Sequence, residues 1–246
     1  VLGLPPHVTA CLFDLDGVLT QTALVHNAAW KLTFDEFLEK WSAQHGQEFV
    51  PFDPGPDYHK YVDGRQRADG VRTFLASRQI TLPEGSPDDG PDLQTVNGIG
   101  NRKNLLVLQK IKEGAVQVYD GSVAYLKAAR DAGLRRAVVS ASANCKDVLE
   151  AAGIADLIEV RVDGVTAREQ SLPGKPAPDS FLYAARQLGI PPENCAVYED
   201  ALAGVAAGRA GKFGITIGVD RVGQTQALLD NGADIVVTDL SELLTR

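Results

Sequence analysis

Cysteine is scarce in this sequence: Cys11, Cys145 and Cys195 are the three among 246 residues. They lie far apart, their number is odd and no C-x-x-C occurs. That argues against a disulfide framework and for reduced thiols in the cytoplasm. Positive charge is also in deficit. Lys and Arg number 24 against 32 Asp and Glu, a net charge of −8. No basic footprint for nucleic acid or an anionic membrane exists. An anionic substrate stays open, because a metal ion and a few cationic side chains can reverse the field inside a cleft. No apolar run is long enough to span a membrane, and no signal-peptide pattern opens the chain. Repeats and low-complexity tails are missing. Gly174-Lys175 is followed by Pro176, which excludes a P-loop, and Gly98-Ile99-Gly100 lacks the third glycine and the preceding strand of a dinucleotide fingerprint. The chain begins at Val1 rather than Met, which reads as a piece of a longer protein.

What is there is globular. The hydrophobic share is 44%, and the length accommodates a core domain with a smaller companion. One stretch organises the rest. Ala10 to Phe13 read as a short buried strand that runs into Asp14-Leu15-Asp16-Gly17. A buried strand that ends in two carboxylates carries a desolvation cost unless the acids are paired or bind metal. Gly17 permits a sharp turn after them. The pattern recurs at Ala196-Val197-Tyr198, which runs into Glu199-Asp200 and then a helix rich in Ala and Gly. Adjacent carboxylates repel unless a cation lies between them. Asp14, Asp16, Glu199 and Asp200 together read as an oxygen-ligated Mg²⁺ site.

Two further strand ends carry polar chemistry. Ala137-Val138-Val139 leads into Ser140-Ala141-Ser142-Ala143-Asn144. This cluster reads equally as a phosphate cradle or as helix capping. Lys175 lies between Pro173 and Pro176, which restrict the backbone around it. Between the first strand and Tyr119 the pattern is helical. Thr22 caps a helix predicted to run to about Lys40, with apolar residues Leu32, Phe34, Phe37, Leu38 and Trp41, and with His26 one turn below Trp30. Residues 42–57 and 83–92 read as loops. Helices are expected over Val71–Leu75 and from Asn101 through Ile111. After Tyr119 a helix runs from Asp120 to about Ala132, ended by Gly133. Strands follow at Phe213–Ile217 and Ile235–Val237, with a helix around Gln226–Asn231. The expected class is α/β, a doubly wound, Rossmann-like parallel sheet with an inserted helical cap. The core spans residues 1–24 and 116–246, and the cap 25–115.

Asp14-Leu15-Asp16-Gly17-Val18-Leu19-Thr20 resembles the first motif of the haloacid dehalogenase superfamily. The Ser140, Lys175 and Glu199-Asp200 segments resemble its other three, in order. The resemblance implies that Asp14 is the nucleophile that becomes an aspartyl phosphate and that Asp16 is the general acid/base. It makes Ser140 and Lys175 ligands of the transferring phosphate and gives the acids a Mg²⁺ ion. Thr22-x-x-x-His26-x-x-x-Trp30-Lys31 is similar to the β-phosphoglucomutase-like branch. There the histidine helps steer the acid/base and the substrate. Gly64 and Arg67 match a cap pattern of that branch, in which the arginine contacts the phosphate that is not transferred. Where the branch carries a lysine before that glycine, this chain has Asp63, and Arg65 or Lys60 are candidates for the missing charge. Ser142 and Asn144 match neighbouring substrate positions.

The implied enzyme is a Mg²⁺-dependent phosphotransferase with a site between core and cap. Its first expected reaction converts β-glucose 1-phosphate to glucose 6-phosphate. One alternative is a sugar-phosphate phosphatase, in which water takes the phosphoryl group. The other is a phosphosugar-binding or fused regulatory domain without turnover. The expected partner is a small sugar phosphate, not nucleic acid or membrane. A carbohydrate-active neighbour, fused or separate, is compatible with this reading.

Overall fold

The computed structural model describes residues 2–245. In chain order, the elements are β1 (Ala10–Phe13), α1 (Thr22–His45), α2 (Arg67–Ser77), α3 (Val96–Lys112), α4 (Asp120–Asp131), β2 (Arg135–Val139) and α5 (Cys145–Ala151). Then come β3 (Val160–Val162), α6 (Gly164–Glu169), α7 (Asp179–Leu188), β4 (Cys195–Glu199), α8 (Leu202–Ala210), β5 (Ile215–Val219), α9 (Thr225–Asn231) and β6 (Ile235–Val237). The described residues fall into two compact units, divided after Thr22 and again after Ala115.

The first unit is a six-stranded sheet in the order β3-β2-β1-β4-β5-β6. Every strand pair is parallel. β1 is buried at all four positions, as expected of a central parallel strand covered on both faces. Its residues pair on one side with β2, Ala10 opposite Arg135, and on the other with β4, Ala10 opposite Cys195. Chain order runs outward from β1 in both directions, so the topological switch point lies there. Ligands of open α/β sheets bind at the carboxyl ends of the strands beside such a point. Small and branched residues fill the sheet's core: Ala10, Leu12, Ala137, Val139, Ala184 and Val197, with Phe181.

The second unit is helical, built from α1 beyond Thr22, α2, α3 and a π-helical turn over Tyr58–Val62. Its core is built around a cluster of aromatic rings. Phe34 stacks on Trp30 at 4.9 Å and packs on Phe74 at 4.2 Å and on Phe52 at 5.3 Å. α1 continues five residues past the expected Lys40, because Trp41 packs on Phe37 and His45 stacks on Trp41. α3 begins before Asn101 and takes in Gly98-Ile99-Gly100. Thr95 caps it, accepting from the Gly98 amide at 2.9 Å. Cys11, Cys145 and Cys195 are buried free thiols. Burial pushes the thiols of Cys11 and Cys195 up to about 12, so both stay protonated and unreactive. No helix among the described residues is long and apolar enough to cross a membrane.

Candidate active site

Strand pairing brings the two acidic ends together. Phe13 pairs with Tyr198, and the Asp14 amide donates to the Tyr198 carbonyl at 2.9 Å. Asp14, Glu199 and Asp200 are buried, and each offers a carboxylate oxygen within 4.8 Å of the others. Lys175 reaches them from the proline-flanked loop before α7. Its ammonium donates to Asp14 Oδ1 at 2.6 Å, to Glu199 Oε1 and to the Val139 carbonyl at 3.2 Å. Lys175 is 4% exposed, so its charge is compensated by these partners rather than by water. Glu199 Oε2 accepts from the Ala201 amide at 3.2 Å.

One ammonium among these acids leaves buried negative charge in excess. Burial pushes the Asp14 carboxyl well above the usual carboxylate range; Lys175 opposes this, while Glu199 and Asp16 add to it. Burial alone would discharge Lys175, but Asp14 and Glu199 outweigh it and hold the ammonium charged. Such a set of hard oxygen donors fits a divalent cation, which would relieve the repulsion.

Glycine makes the close approach possible. Gly17 has φ +96°, and a Cβ there would lie 1.8 Å from Asp200 Oδ2. A Cβ at Gly204 would lie 1.9 Å from Glu199 Cδ. The acidic ends can adjoin their neighbours' backbones only because these positions carry no side chain.

Asp16 differs from the expectation that groups its carboxylate with the metal acids: it lies outside the three-acid cluster. Its Oδ1 accepts from Thr22 Oγ1, and its Oδ2 from Ser140 Oγ at 3.3 Å. The reason is the turn that follows β1. The Leu19 and Thr20 amides both donate to the Leu15 carbonyl at 3.0 Å, and the Gly17 amide donates to the Thr20 carbonyl at 2.7 Å. This curl sets Asp16 against hydroxyls instead of beside Asp14's partners. Thr22, expected to cap α1, is its first residue and spends its hydroxyl on Asp16 and Thr20. After β2 the hydroxyls form a ladder. The Ser142 amide donates to Ser140 Oγ at 3.0 Å, and the Asn144 amide to Ser142 Oγ at 3.1 Å.

The structure therefore brings Asp14, Asp16, Thr22, Ser140, Ser142, Asn144, Lys175, Glu199 and Asp200 into the first unit, and places His26 and Arg67 in the second. His26 is buried in α1, and the Lys103 ammonium donates to its Nδ1 at 2.5 Å. The same ammonium sits 4.9 Å over the Trp30 ring. Arg67 opens α2 and lies along Gly100, where a Cβ would come within 3.2 Å of Arg67 Cγ. Asp63, at the position of the branch's lysine, is buried and pairs with His59 Nδ1 at 3.2 Å.

Two residues escaped the sequence reading. Lys103 looked like one charge on an amphipathic helix; the signal was its spacing from the apolar Ile99 and Val107, one turn to either side on the buried face. Arg221 follows β5 and binds the backbone of the Gly17 turn, and no local pattern marks it.

The comparisons with known proteins agree with this geometry. A family model for haloacid dehalogenase-like hydrolases matches residues 8–212. Proteins of Mycobacterium bovis and Mycobacterium tuberculosis named beta-phosphoglucomutase are each 56% identical over 247 positions, covering 99% of this chain and 94% of theirs. The solved beta-phosphoglucomutase of Clostridium difficile matches with a TM-score of 0.74 and 24% identity, over 96% of this chain and 93% of that one. A hydrolase from Pseudomonas syringae matches with a TM-score of 0.77 and 22% identity, over 97% of both chains. At these identities the two structures speak for the fold alone. With the family model and the mycobacterial relatives, they make the chain a member of the haloacid dehalogenase-like hydrolase family, in its β-phosphoglucomutase-like branch.

Proposed function

We propose that the chain is a Mg²⁺-dependent phosphomutase that converts β-glucose 1-phosphate to glucose 6-phosphate in the cytoplasm. The observation that carries the mutase reading over hydrolysis is the 56% identity, across nearly the whole chain, to the mycobacterial beta-phosphoglucomutases. The geometry supports phosphoryl transfer through Asp14. Its carboxylate attacks the C1 phosphorus of β-glucose 1,6-bisphosphate in line, the bond from phosphorus to the C1 oxygen breaks, Asp16 gives that oxygen a proton and glucose 6-phosphate leaves. In the next step Asp16 takes the proton from the C6 hydroxyl of an incoming β-glucose 1-phosphate, that oxygen attacks the phosphoryl group, the bond from phosphorus to Asp14 breaks and the bisphosphate is regenerated. Thr22 and Ser140 hold Asp16 for this work through their hydroxyls. Lys175 holds Asp14 in place and offsets charge on the phosphoryl group. Ser140, Ser142 and Asn144 are assigned to the phosphate, and Arg67 and His26 to the rest of the substrate, with Lys103 bonded to His26 Nδ1. Arginine's planar fork suits the phosphate that stays on the sugar. Asp14, Glu199 and Asp200 would hold Mg²⁺. The ion supplies charge neutralisation between carboxylate and phosphate.

Phosphorus NMR tests the proposal. The protein is incubated with β-glucose 1-phosphate, Mg²⁺ and a trace of β-glucose 1,6-bisphosphate. Glucose 6-phosphate should accumulate without inorganic phosphate, and Arg67→Ala should slow its formation strongly. Inorganic phosphate as the main product, with Arg67→Ala indifferent, would replace the mutase by the phosphatase.

A further inference from the structure

The loop between β5 and α9 carries none of the residues assigned above, yet it grips both acidic strand ends. Asp220 makes the loop rigid. Its Oδ1 accepts from the amides of Val222 at 3.1 Å, Gly223 at 2.7 Å and Gln224 at 2.9 Å, and Oδ2 accepts from Thr225 Oγ1 at 2.5 Å. From this base two side chains reach out. Arg221 Nε donates to the Gly17 carbonyl at 2.9 Å and Nη2 to the Val18 carbonyl at 3.3 Å. Gln224 Nε2 donates to the Asp200 carbonyl at 3.1 Å. The guanidinium is itself braced. Nη1 donates to the Thr238 carbonyl at 2.7 Å, Nη2 reaches Ser122 Oγ at 3.4 Å, and the plane lies 3.5 Å over the Tyr119 ring.

The two segments held this way meet closely in the site. Gly17 stands so close to the Asp200 carboxylate that no side chain fits between them. A small rotation of the Gly17 turn or of the Asp200 peptide would alter the spacing of the carboxylates beside them. Metal affinity responds steeply to such outer contacts, which orient the ligands without touching the ion.

We propose that Arg221 and Gln224 form a positioning clamp. It sets the Gly17 turn against Asp200 and thereby tunes the cation affinity of the Asp14, Glu199 and Asp200 cluster. The inference rests on the metal reading of that cluster. It makes Arg221 and Gln224 positioning residues rather than catalytic ones.

The test uses the full chain, with Mn²⁺ as a paramagnetic probe and free Mn²⁺ counted by electron paramagnetic resonance in the absence of substrate. Wild type should bind Mn²⁺, and Arg221→Gln and Gln224→Leu should each weaken binding by about tenfold. Arg221→Lys, which keeps the charge but not the fork, should fall between. At limiting Mg²⁺ the variants should turn over more slowly than wild type, and at saturating Mg²⁺ both kcat and the KM for β-glucose 1-phosphate should return to the wild-type values. Thermal melting in EDTA is measured alongside. A merely structural clamp would lower the melting temperature and leave the Mn²⁺ affinity untouched, which would overturn the proposal. If Arg221→Gln does not fold, Gln224→Leu decides, since its amide reaches only the Asp200 backbone among the contacts described. If wild type binds no Mn²⁺, the metal reading itself falls. Wild-type binding with unchanged variants overturns the clamp alone.

Discussion

Buried charge is handled differently in the two units. In the helical unit it meets neighbouring rings. Lys103 meets the ring of His26 and the face of Trp30, and Asp63 meets His59. In the sheet unit acids crowd around a shared cation. Asp14 and Glu199 share Lys175, Asp200 adjoins them, and Asp16 stands close enough to raise Asp14 further. A cluster with acids in excess costs free energy until a further cation joins it, and natural chains retain such clusters where they bind or catalyse. Both cores stack aromatic rings, Phe13 on Tyr198 in the sheet unit and Trp30 on Phe34 in the helical one.

The sharpest way to break this comparison is to remove one acid. Asp14→Asn should keep the fold and lower turnover by more than about a thousandfold. Beryllofluoride or aluminium fluoride should be trapped by wild type alone. A phosphoenzyme that maps to another residue would end the assignment. Next in size is the cation. EDTA should abolish turnover and Mg²⁺ restore it. In hydrogen exchange, Mg²⁺ should protect amides in 14–20 and 199–204 and leave 26–110 unchanged. Full activity in EDTA, or protection spread equally over both units, would erase the distinction between the two units.

Lys103→Ala probes the helical side. It should lower stability by about 1–3 kcal/mol, because His26 loses its donor inside a buried site. Mn²⁺ affinity should not change, and a change in it would show that the two sets of charges are coupled. The smallest effect is expected at Asp220. Burial pushes its carboxyl up, but the Thr225 hydroxyl and the amides of Gln224, Val222 and Gly223 together hold it below the ordinary value. A depressed carboxyl stabilises the fold fully above its unfolded pKa of about 3.9 and loses that stabilisation as pH falls through the folded value. Asp220→Asn should therefore cost about 1 kcal/mol at neutral pH. The gap to wild type should close in acid melts, and a gap constant down to pH 2 would contradict the assignment.

Sequence alone reached far into the sheet unit. β1 lies over the expected Ala10–Phe13, and the helix from Asp120 ends before Gly133, which has φ +78°. These elements are legible because an apolar run that meets acids or glycine is a local signal. β3 escaped notice: it is three residues long with exposed Arg161 at its centre, too short to show a period. β5 lies two residues later than expected, over Ile215–Val219, because its register is set by pairing with β4 and not by its own composition.

The chain's own letters determined which residue types stand at which strand ends, and so the α/β class, the order of the motifs and the identity of Asp14, Ser140, Lys175 and Glu199-Asp200 as candidates. Only tertiary structure decided which of the acids face one another. Asp16 is two residues from Asp14, yet its carboxylate belongs with Thr22 and Ser140. Glu199 is 185 residues away and shares Lys175 with Asp14. Arg221 and Gln224 became visible in the same way, since the carbonyls they hold at Gly17 and Asp200 are backbone groups that every residue carries. Side-chain chemistry is written in the sequence. Which backbone atom it meets depends on the turn of the chain after β1 and on strand pairing, and both are settled by burial and hydrogen bonding across long separations.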